Sequence, residues 1–388
     1  MADDLRAQAR HWRTAADALT LLRARSGLTR RELGERLGLG SGGVSDLASR
    51  LRAARLIVER TVSARGAGRP TSTWHAHPEA PVALAVDLRH GDWRLGVCAL
   101  DGEVTMLVAG VHDGDPDRSL ALLRRRVTAA ARSLEGRVVS VGVAVPGQVS
   151  GARLLQASML GWRDVDLARL GAGAGVPVLA GNDASMAAIA EARVHPARPA
   201  VLLHLVAEVG LGGAVVVDGR PVPGARGLQG EFGHLPLADP GLACPCGAHG
   251  CWGVAFDPRE VARRLGDPTP ADPRGYLGGL LARPDVPDAV LRLREDLATR
   301  LGRGLAGLVN VVDPDVVTLG ALAGPVRDAA PARFADAYDL GLMTLHRDRP
   351  PLLATATAGA DAVLAGVGLT ALDQTLDAAR LASWAEGR

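Results

Sequence analysis

Apolar positions recur at helical spacing near the start of the chain and at strand spacing after it. In "AADALTLLRARSG", Ala15, Leu19 and Leu22 fall on one helical face and Gly27 reads as the stop. "LTRRELGERLGLG" opens a second helix. Thr29 followed three positions later by Glu32 is the reciprocal capping pattern, in which each side chain answers an orphan backbone amide, and Leu33 and Leu37 then face inward. After the turn Gly38-Leu39-Gly40, Ser41 is placed to cap a third helix on which Val44, Leu47 and Leu51 recur. Two short helices across a tight turn predict a helix-turn-helix, whose second helix enters the major groove. "RLIVERTVSARGAGRPTSTWHA" then reads as strand, Gly/Arg loop, strand, the outline of a wing.

From residue 82 the period changes. "VALAVDLRHGDWRLGVCALDGEVTMLVAGV" holds three short strands with turns at His90-Gly91-Asp92 and Asp101-Gly102, followed by an amphipathic helix over 117–134. A continuous apolar strand, "VVSVGVAV", ends at Pro146-Gly147. Strands and helices alternate again through "VPVLAGNDASMAAIAEA", "AVLLHLVAEVGLGGAVVVDG" and "VVTLGALAG", with a closing helix from about 361. Hairpins followed by alternating strands and helices, twice over, predict two mixed α/β lobes around a cleft.

Composition narrows the class. A chain of 388 residues has room for two or three domains, and 47% hydrophobic with 22% charged residues is ordinary for a globular protein. No apolar run of about 18 residues occurs, and "MADDLRAQARHW" lacks the basic-then-hydrophobic order of a secretory signal. A cytoplasmic protein with no membrane segment is expected. The net charge of +2 hides an asymmetry: residues 1–75 hold 14 Arg against 7 Asp plus Glu, a balance of +7, which leaves the rest at −5. A basic front predicts contact with a polyanion, a solvated basic face being the plain alternative. Lys is absent from the chain, which excludes a Walker phosphate loop. Arg30, Ser41, Ser45 and Arg50 on the helices and Arg69 on the wing are the candidate DNA contacts; Arg69, between Gly68 and Pro70, suits a narrow minor groove. Gly42 and Gly43 occupy the start of the recognition helix, where base-reading side chains usually project.

Cys98 stands alone, whereas Cys244, Cys246 and Cys251 cluster in "CPCGAHGC". Their C-x-C-x4-C spacing suits a tetrahedral thiolate metal site, and Cys244 and Cys246 are too close for a comfortable disulfide. Buried free thiols and a redox switch are the alternatives.

"GNDASMAAIAE", "GARGLQGEFGH", "CPCGAHGC" and "VNVVDPDVVTLG", in that order behind a winged helix, resemble the ROK family, which groups bacterial sugar kinases with sugar-responsive transcriptional regulators. The resemblance runs from about residue 12 to 375. It implies an α/β fold, a two-lobed actin-like, ribonuclease H-like domain preceded by an N-terminal winged helix-turn-helix. It supplies His234 as fourth ligand, beside Cys244, Cys246 and Cys251, of a structural Zn2+. It assigns Asn182, Asp183, Glu231 and His234 to a sugar, although Asn182-Asp183 also reads as the N-cap of the following helix. In the kinases Asp183 would be the base that takes the proton of the attacking hydroxyl. Their first phosphate loop reads Asp-x-Gly-Gly-Thr; here "DLRHGDWR" keeps Asp87 but replaces the small residues with Arg89, His90, Asp92 and Trp93, so no catalytic residue is assigned and catalysis is expected to be lost. Gly253 stands where the family usually has a sugar-binding Glu, and Met159 where Asn is common. The expected arrangement is a DNA-binding head at 1–78 and a ROK sugar-kinase-like body at 79–388 with the zinc loop at 234–251. The expected function is a repressor that binds double-stranded operator DNA as a homodimer or higher homo-oligomer and responds to a sugar. An active ATP-dependent sugar kinase with an added DNA-binding module is the alternative, and an adaptor for another protein a third.

Overall fold

The computed structural model describes residues 2–24, 28–62, 71–225 and 230–387. Its head consists of helices α1 (Ala2–Ala24), α2 (Arg30–Leu37) and α3 (Ser41–Ala53), then an antiparallel pair of strands, β1 (Ile57–Val62) and β2 (Thr71–Ala76). Thr29 and Glu32 close the expected capping box: Thr29 Oγ1 accepts from the Glu32 N–H and the Glu32 carboxylate accepts from the Thr29 N–H. Gly38 ends α2 at φ 65°, a left-handed cap that glycine adopts without strain. Ser41 departs from its expected role. The Val44 N–H already bonds the Gly40 carbonyl, so the helix begins one residue earlier than a Ser41 cap requires, with Gly40 at the cap. The helix stop at Gly27 and the wing loop carrying Arg69 lie outside the described residues.

The first lobe contains β3 (Val82–Leu88), β4 (Asp92–Cys98), β5 (Val104–Val111), α4 (Pro116–Ser133) and β6 (Val138–Val145). A small antiparallel sheet follows, of β7 (Gln148–Ser150), β8 (Arg153–Ala157) and β9 (Trp162–Asp166), and then β10 (Val178–Asn182) and α5 (Asp183–Val194). The main sheet has the order β10-β6-β3-β4-β5, with β10, β6 and β3 parallel and β3-β4-β5 antiparallel. Every residue of β3 is buried, as the apolar run 82–86 requires for a strand covered on both faces, and Asp87 near its end is buried with it.

The second lobe repeats the plan. It comprises β11 (Val201–Ala207), β12 (Leu211–Val217), β13 (Arg220–Pro221), α6 (Pro258–Leu265), α7 (Pro273–Ala282) and α8 (Asp288–Val312). β14 (Val316–Ala321), α9 (Ala323–Ala329), α10 (Pro331–Gly341), α11 (Thr344–Asp348) and β15 (Leu352–Thr355) complete it. The order is β13-β12-β11-β14-β15, again three antiparallel strands extended by parallel ones. The chain then returns through α12 (Ala362–Thr375), which packs on α5 and the first sheet, and α13 (Ala378–Glu386), which packs on α1. Two mixed α/β lobes around a cleft, behind a winged helix-turn-helix, are therefore the observed architecture.

The head shares its core with the body. Trp12, Leu19, Leu22 and Trp74 form one apolar cluster with Cys98, Leu100, Leu372 and Leu381. Arg23, 2% exposed, reaches Asp373 on α12 through its Nε at 2.5 Å.

Candidate functional site

The carboxyl ends of β3, β6 and β10 face the β11–β12 turn across one cavity of about 1170 Å³, counting its open mouth. This is where α/β sheets bind ligands, since strand ends and helix N-termini converge there. Asn182 ends β10 and caps α5: its Oδ1 accepts from the Ser185 N–H at 3.1 Å and its Nδ2 donates to the Gly147 carbonyl at 3.2 Å. The expected cap is thus present, and it leaves Asn182 a second amide hydrogen. Asp183, the first residue of α5, accepts from the Ala184 N–H at 2.8 Å. Its carboxyl is pushed up to about 7, mainly by burial and next by the Glu208 carboxylate, with Asp87 and Glu231 adding and the Ala184 N–H opposing. A carboxyl balanced at that value can donate as well as accept a hydrogen bond.

Glu231 and His234 enter the same cavity from the opposite wall, on a short 3-10 turn. His234 Nε2 lies 3.4 Å from Glu231 Oε2, and its Nδ1 lies 3.8 Å from Cys244 Sγ. The ring thus faces the cavity carboxylate with one nitrogen and the cysteine cluster with the other. The donor atoms of His234, Cys244, Cys246 and Cys251 all lie within 4.8 Å of one another, and Cys246 Sγ is 3.8 Å from Cys251 Sγ. A tetrahedron with metal–sulfur bonds of about 2.3 Å has sulfur–sulfur edges of about 3.8 Å, so three thiolates and an imidazole at these separations fit a four-coordinate soft metal. The same spacing is far from a disulfide, and all three cysteines are free. The loop is anchored from behind by Trp252, fully buried, for which Gly304 makes room: a Cβ there would sit 2.3 Å from the indole. At Gly253 a Cβ would meet the Gly233 carbonyl and the Leu211 N–H, each at 3.2 Å, so this position packs against backbone.

The β3–β4 loop forms the third wall. Asp87, 1% exposed, accepts from Arg94 Nε and Nη2 at 3.0 and 2.7 Å. Arg89 and His90 also line the cavity. Arg89 spans the cleft loosely, with Asp87 at 3.4 Å, Asp92 at 3.5 Å and Glu208 of the second lobe at 3.9 Å. Glu208 meets Arg274 at 3.2 Å as well. Sequence reasoning missed Glu208 and Arg274. The available signal was an acid immediately before the Gly-rich run at 209–214, where a phosphate-binding loop would carry none.

The sequence model of the ROK family matches residues 113–366, well over half of the chain. The chain belongs to the ROK family. Among its ROK relatives, the glucokinase of Streptomyces coelicolor is 31% identical over 220 residues, which span 50% of this chain and 69% of that protein. The putative xylose repressor of a Caldicellulosiruptor species is 25% identical over 314 residues, 76% of this chain and 79% of that one. Among solved structures, a ROK family transcriptional regulator described as a homologue of the Escherichia coli Mlc protein has the same fold, with a TM-score of 0.74 and 22% identity over 98% of this chain and 100% of that one. Relatives of this ROK chain thus include both repressors and sugar kinases.

Ahead of the ROK domain, the candidate DNA contacts divide. Ser41 and Ser45 are exposed on α3, where Ser45 Oγ donates to the Ser41 carbonyl, and Arg50 is half-buried. Arg30 is committed within the head: its Nε and Nη2 meet the two Glu59 oxygens at 2.6 and 2.7 Å, and Glu59 also accepts from Arg52 and the Trp74 indole. The Arg30 bond holds the Glu59 carboxyl below its usual range. No Cβ built on Gly42 would meet another atom within 4 Å, so the start of α3 offers open backbone. Among the described residues no helix is long and apolar enough to cross a membrane.

Proposed function

We propose that the protein is a transcriptional regulator, a repressor, in which residues 1–78 grip operator DNA and residues 79–388 bind a sugar that alters that grip. The observation that carries the reading is the union, in one chain, of a helix-turn-helix head with a cleft that gathers Asn182, Asp183, Glu231 and His234 around one cavity. Carboxylates accept from adjacent hydroxyls while the amide donates, a set suited to a polyol. DNA contact falls to Ser41, Ser45, Arg50 and Arg69, with Arg30 reaching phosphate only through the N–H groups that Glu59 leaves free.

His234, Cys244, Cys246 and Cys251 would hold a Zn2+ ion, which supplies a structural cross-link and, with four protein ligands, leaves no coordination position for chemistry. With its Nδ1 on the metal, His234 would turn Nε2 toward Glu231, 3.4 Å away, and help to hold that carboxylate toward the sugar, as outer partners of metal-bound imidazoles do. A homodimer places two heads on a pseudo-palindromic operator, and sugar between the lobes changes their angle and the spacing of the heads. Coupling of about 1–3 kcal/mol, about 5- to 150-fold in affinity, is ordinary for such a switch.

Loss of catalysis is supported by the cleft wall: Arg89 and His90 fill the loop that would cradle a phosphate, and Glu208 sets a negative charge opposite it. One observation favours the kinase alternative: the Asp183 carboxyl near 7 is suited to general base work. An operator titration decides. Duplex from the region upstream of the protein's own gene is bound with and without D-glucose or D-xylose, and ATP turnover is followed with the same sugars. At least fivefold weaker DNA binding with one sugar and no phosphorylation is expected. Phosphorylation with an unaltered operator affinity transfers the protein to the kinases.

A further inference from the structure

We propose that α12 couples the cleft to the DNA-binding head through an ion pair at each of its ends, Arg94–Asp361 beside the cavity and Arg23–Asp373 beside α1. The proposal rests on the reading above that the cleft takes a ligand and the head takes DNA, and it names the part between them. At the cleft end, Arg94 Nη1 donates to Asp361 at 2.9 Å while its other nitrogens hold the buried Asp87 of the cavity wall. Val363, in the first turn of α12, lines the same cavity. At the far end, Asp373 accepts from Arg23, a guanidinium almost wholly buried between head and body whose Nη1 has no partner among the described residues. Ala371, Leu372 and Leu376 belong to the cluster that encloses the head helices. Asp361 caps the 14-residue helix and Asp373 lies inside it, so the two carboxylates stand about 18 Å apart along a stiff rod.

The helix cannot stay still when its neighbour moves. A Cβ on Gly366 would lie 1.8 Å from the Met186 carbonyl of α5, and one on Gly142 of β6 would lie 2.6 Å from the Val367 carbonyl. At Gly366, α12 therefore touches the backbone of α5, whose N-cap is Asn182 and whose first residue is Asp183, and Met186, Ile189, Leu364 and Val367 pack around that contact. β3 also runs from the cavity to the head core, but it is hydrogen-bonded on both edges and moves only with the whole sheet. α12 lies on that sheet as a single packed element, the kind of part through which coupling travels.

The test is hydrogen–deuterium exchange on the full zinc-loaded chain, without sugar or DNA. Asp361→Asn removes an exposed carboxylate at the cleft end and is expected to raise exchange in residues 12–24 about fivefold, at the other end of an ion-pair span of about 18 Å along the helix. Asp373→Asn is expected to change exchange at 361–365 in return, since coupling is reciprocal. Arg294→Met, which frees the Leu280 and Arg283 carbonyls in the second lobe, controls for general loosening. Unaltered exchange in residues 12–24 for Asp361→Asn, or an equal rise there for Arg294→Met, overturns the proposal. Should operator binding ignore every sugar, the regulator reading fails in its own assay, while these exchange patterns still report on α12.

Discussion

The head and the second lobe are joined to the first lobe in unlike ways. Between head and body lies an apolar core, with Trp12, Leu19 and Leu22 against Leu372, Leu376 and Leu381. The second lobe rests on α5 through a smaller apolar cluster, Ala188 with Leu202, Ala214, Val216 and Val316. Across the mouth of the cleft the lobes meet through charges, Arg89 with Glu208 at 3.9 Å, and through the softer contact of Arg259 with Met159. Close-packed apolar surfaces resist small displacements because every shift opens a void. Loose ion pairs in a solvent-reached cleft are worth about 0–1 kcal/mol and re-form at many separations. The join between head and body is thus stiff, and the mouth of the cleft, where the proposed ligand would enter, is the more compliant contact.

The largest effect expected from breaking this contrast is at Leu19, 1% exposed on α1. Leu19→Ala should cost about 2–5 kcal/mol, the range for a buried leucine whose site cannot collapse. Since the core is shared, urea denaturation followed by tryptophan fluorescence should show head and first lobe weakening together. A separate early transition confined to the head, with the α13 contacts intact, would mean that the head hangs on the body as an independent bead.

The second effect belongs to the cleft's other wall, where a predicted metal replaces an apolar core as the stiffening device. Cys246→Ser should remove most bound zinc and, because His234 then ceases to be fixed, weaken sugar binding about 10- to 100-fold. Metal content by mass spectrometry and ligand affinity by calorimetry are the readouts. Full zinc occupancy in the variant would show that Cys246 is no ligand.

Much of this architecture was legible from residues alone. Thr29 and Glu32 announced α2 because a capping box is a local bargain between neighbours, and "VVSVGVAV" announced β6 because only a strand covered on both faces tolerates such a run. The cavity residues Asn182, Asp183, Glu231 and His234 were found through motifs, since 52 positions separate Asn182 from His234 in the numbering and no periodicity links them. The small sheet β7-β8-β9 and helix α13 were missed, being short elements whose pattern makes sense only against their tertiary partners. Arg30 shows the limit most clearly. Its chemistry suggested phosphate, but Glu59, 29 residues on, takes its guanidinium, and no local signal announces a partner at that range.

The smallest effect in stability should come from Glu208, and its value lies in the sign it gives to pH. Asp183 in the folded chain titrates near 7 against an ordinary value of 3.8, so between those limits the native state holds a proton that the unfolded chain has released. Stability from this group therefore falls as pH rises from about 4 to about 7 and is level outside that window. Glu208 supplies the largest of the charges that raise the Asp183 carboxyl. In Glu208→Gln, stability at about pH 6 should change by less than about 1 kcal/mol, as expected for a half-exposed ion pair. The Asp183 titration, read by carbon NMR, should nevertheless move to lower pH, and the decline in stability should end sooner. Asp183→Asn should remove this group's share of the decline and leave that of Asp87 and Glu231, whose carboxyls burial also raises. An Asp183 titration indifferent to Glu208 would place the two carboxylates apart in solution, with the lobes resting wider than Arg89 can bridge, and the cleft would then be a hinge held open until its ligand draws it shut.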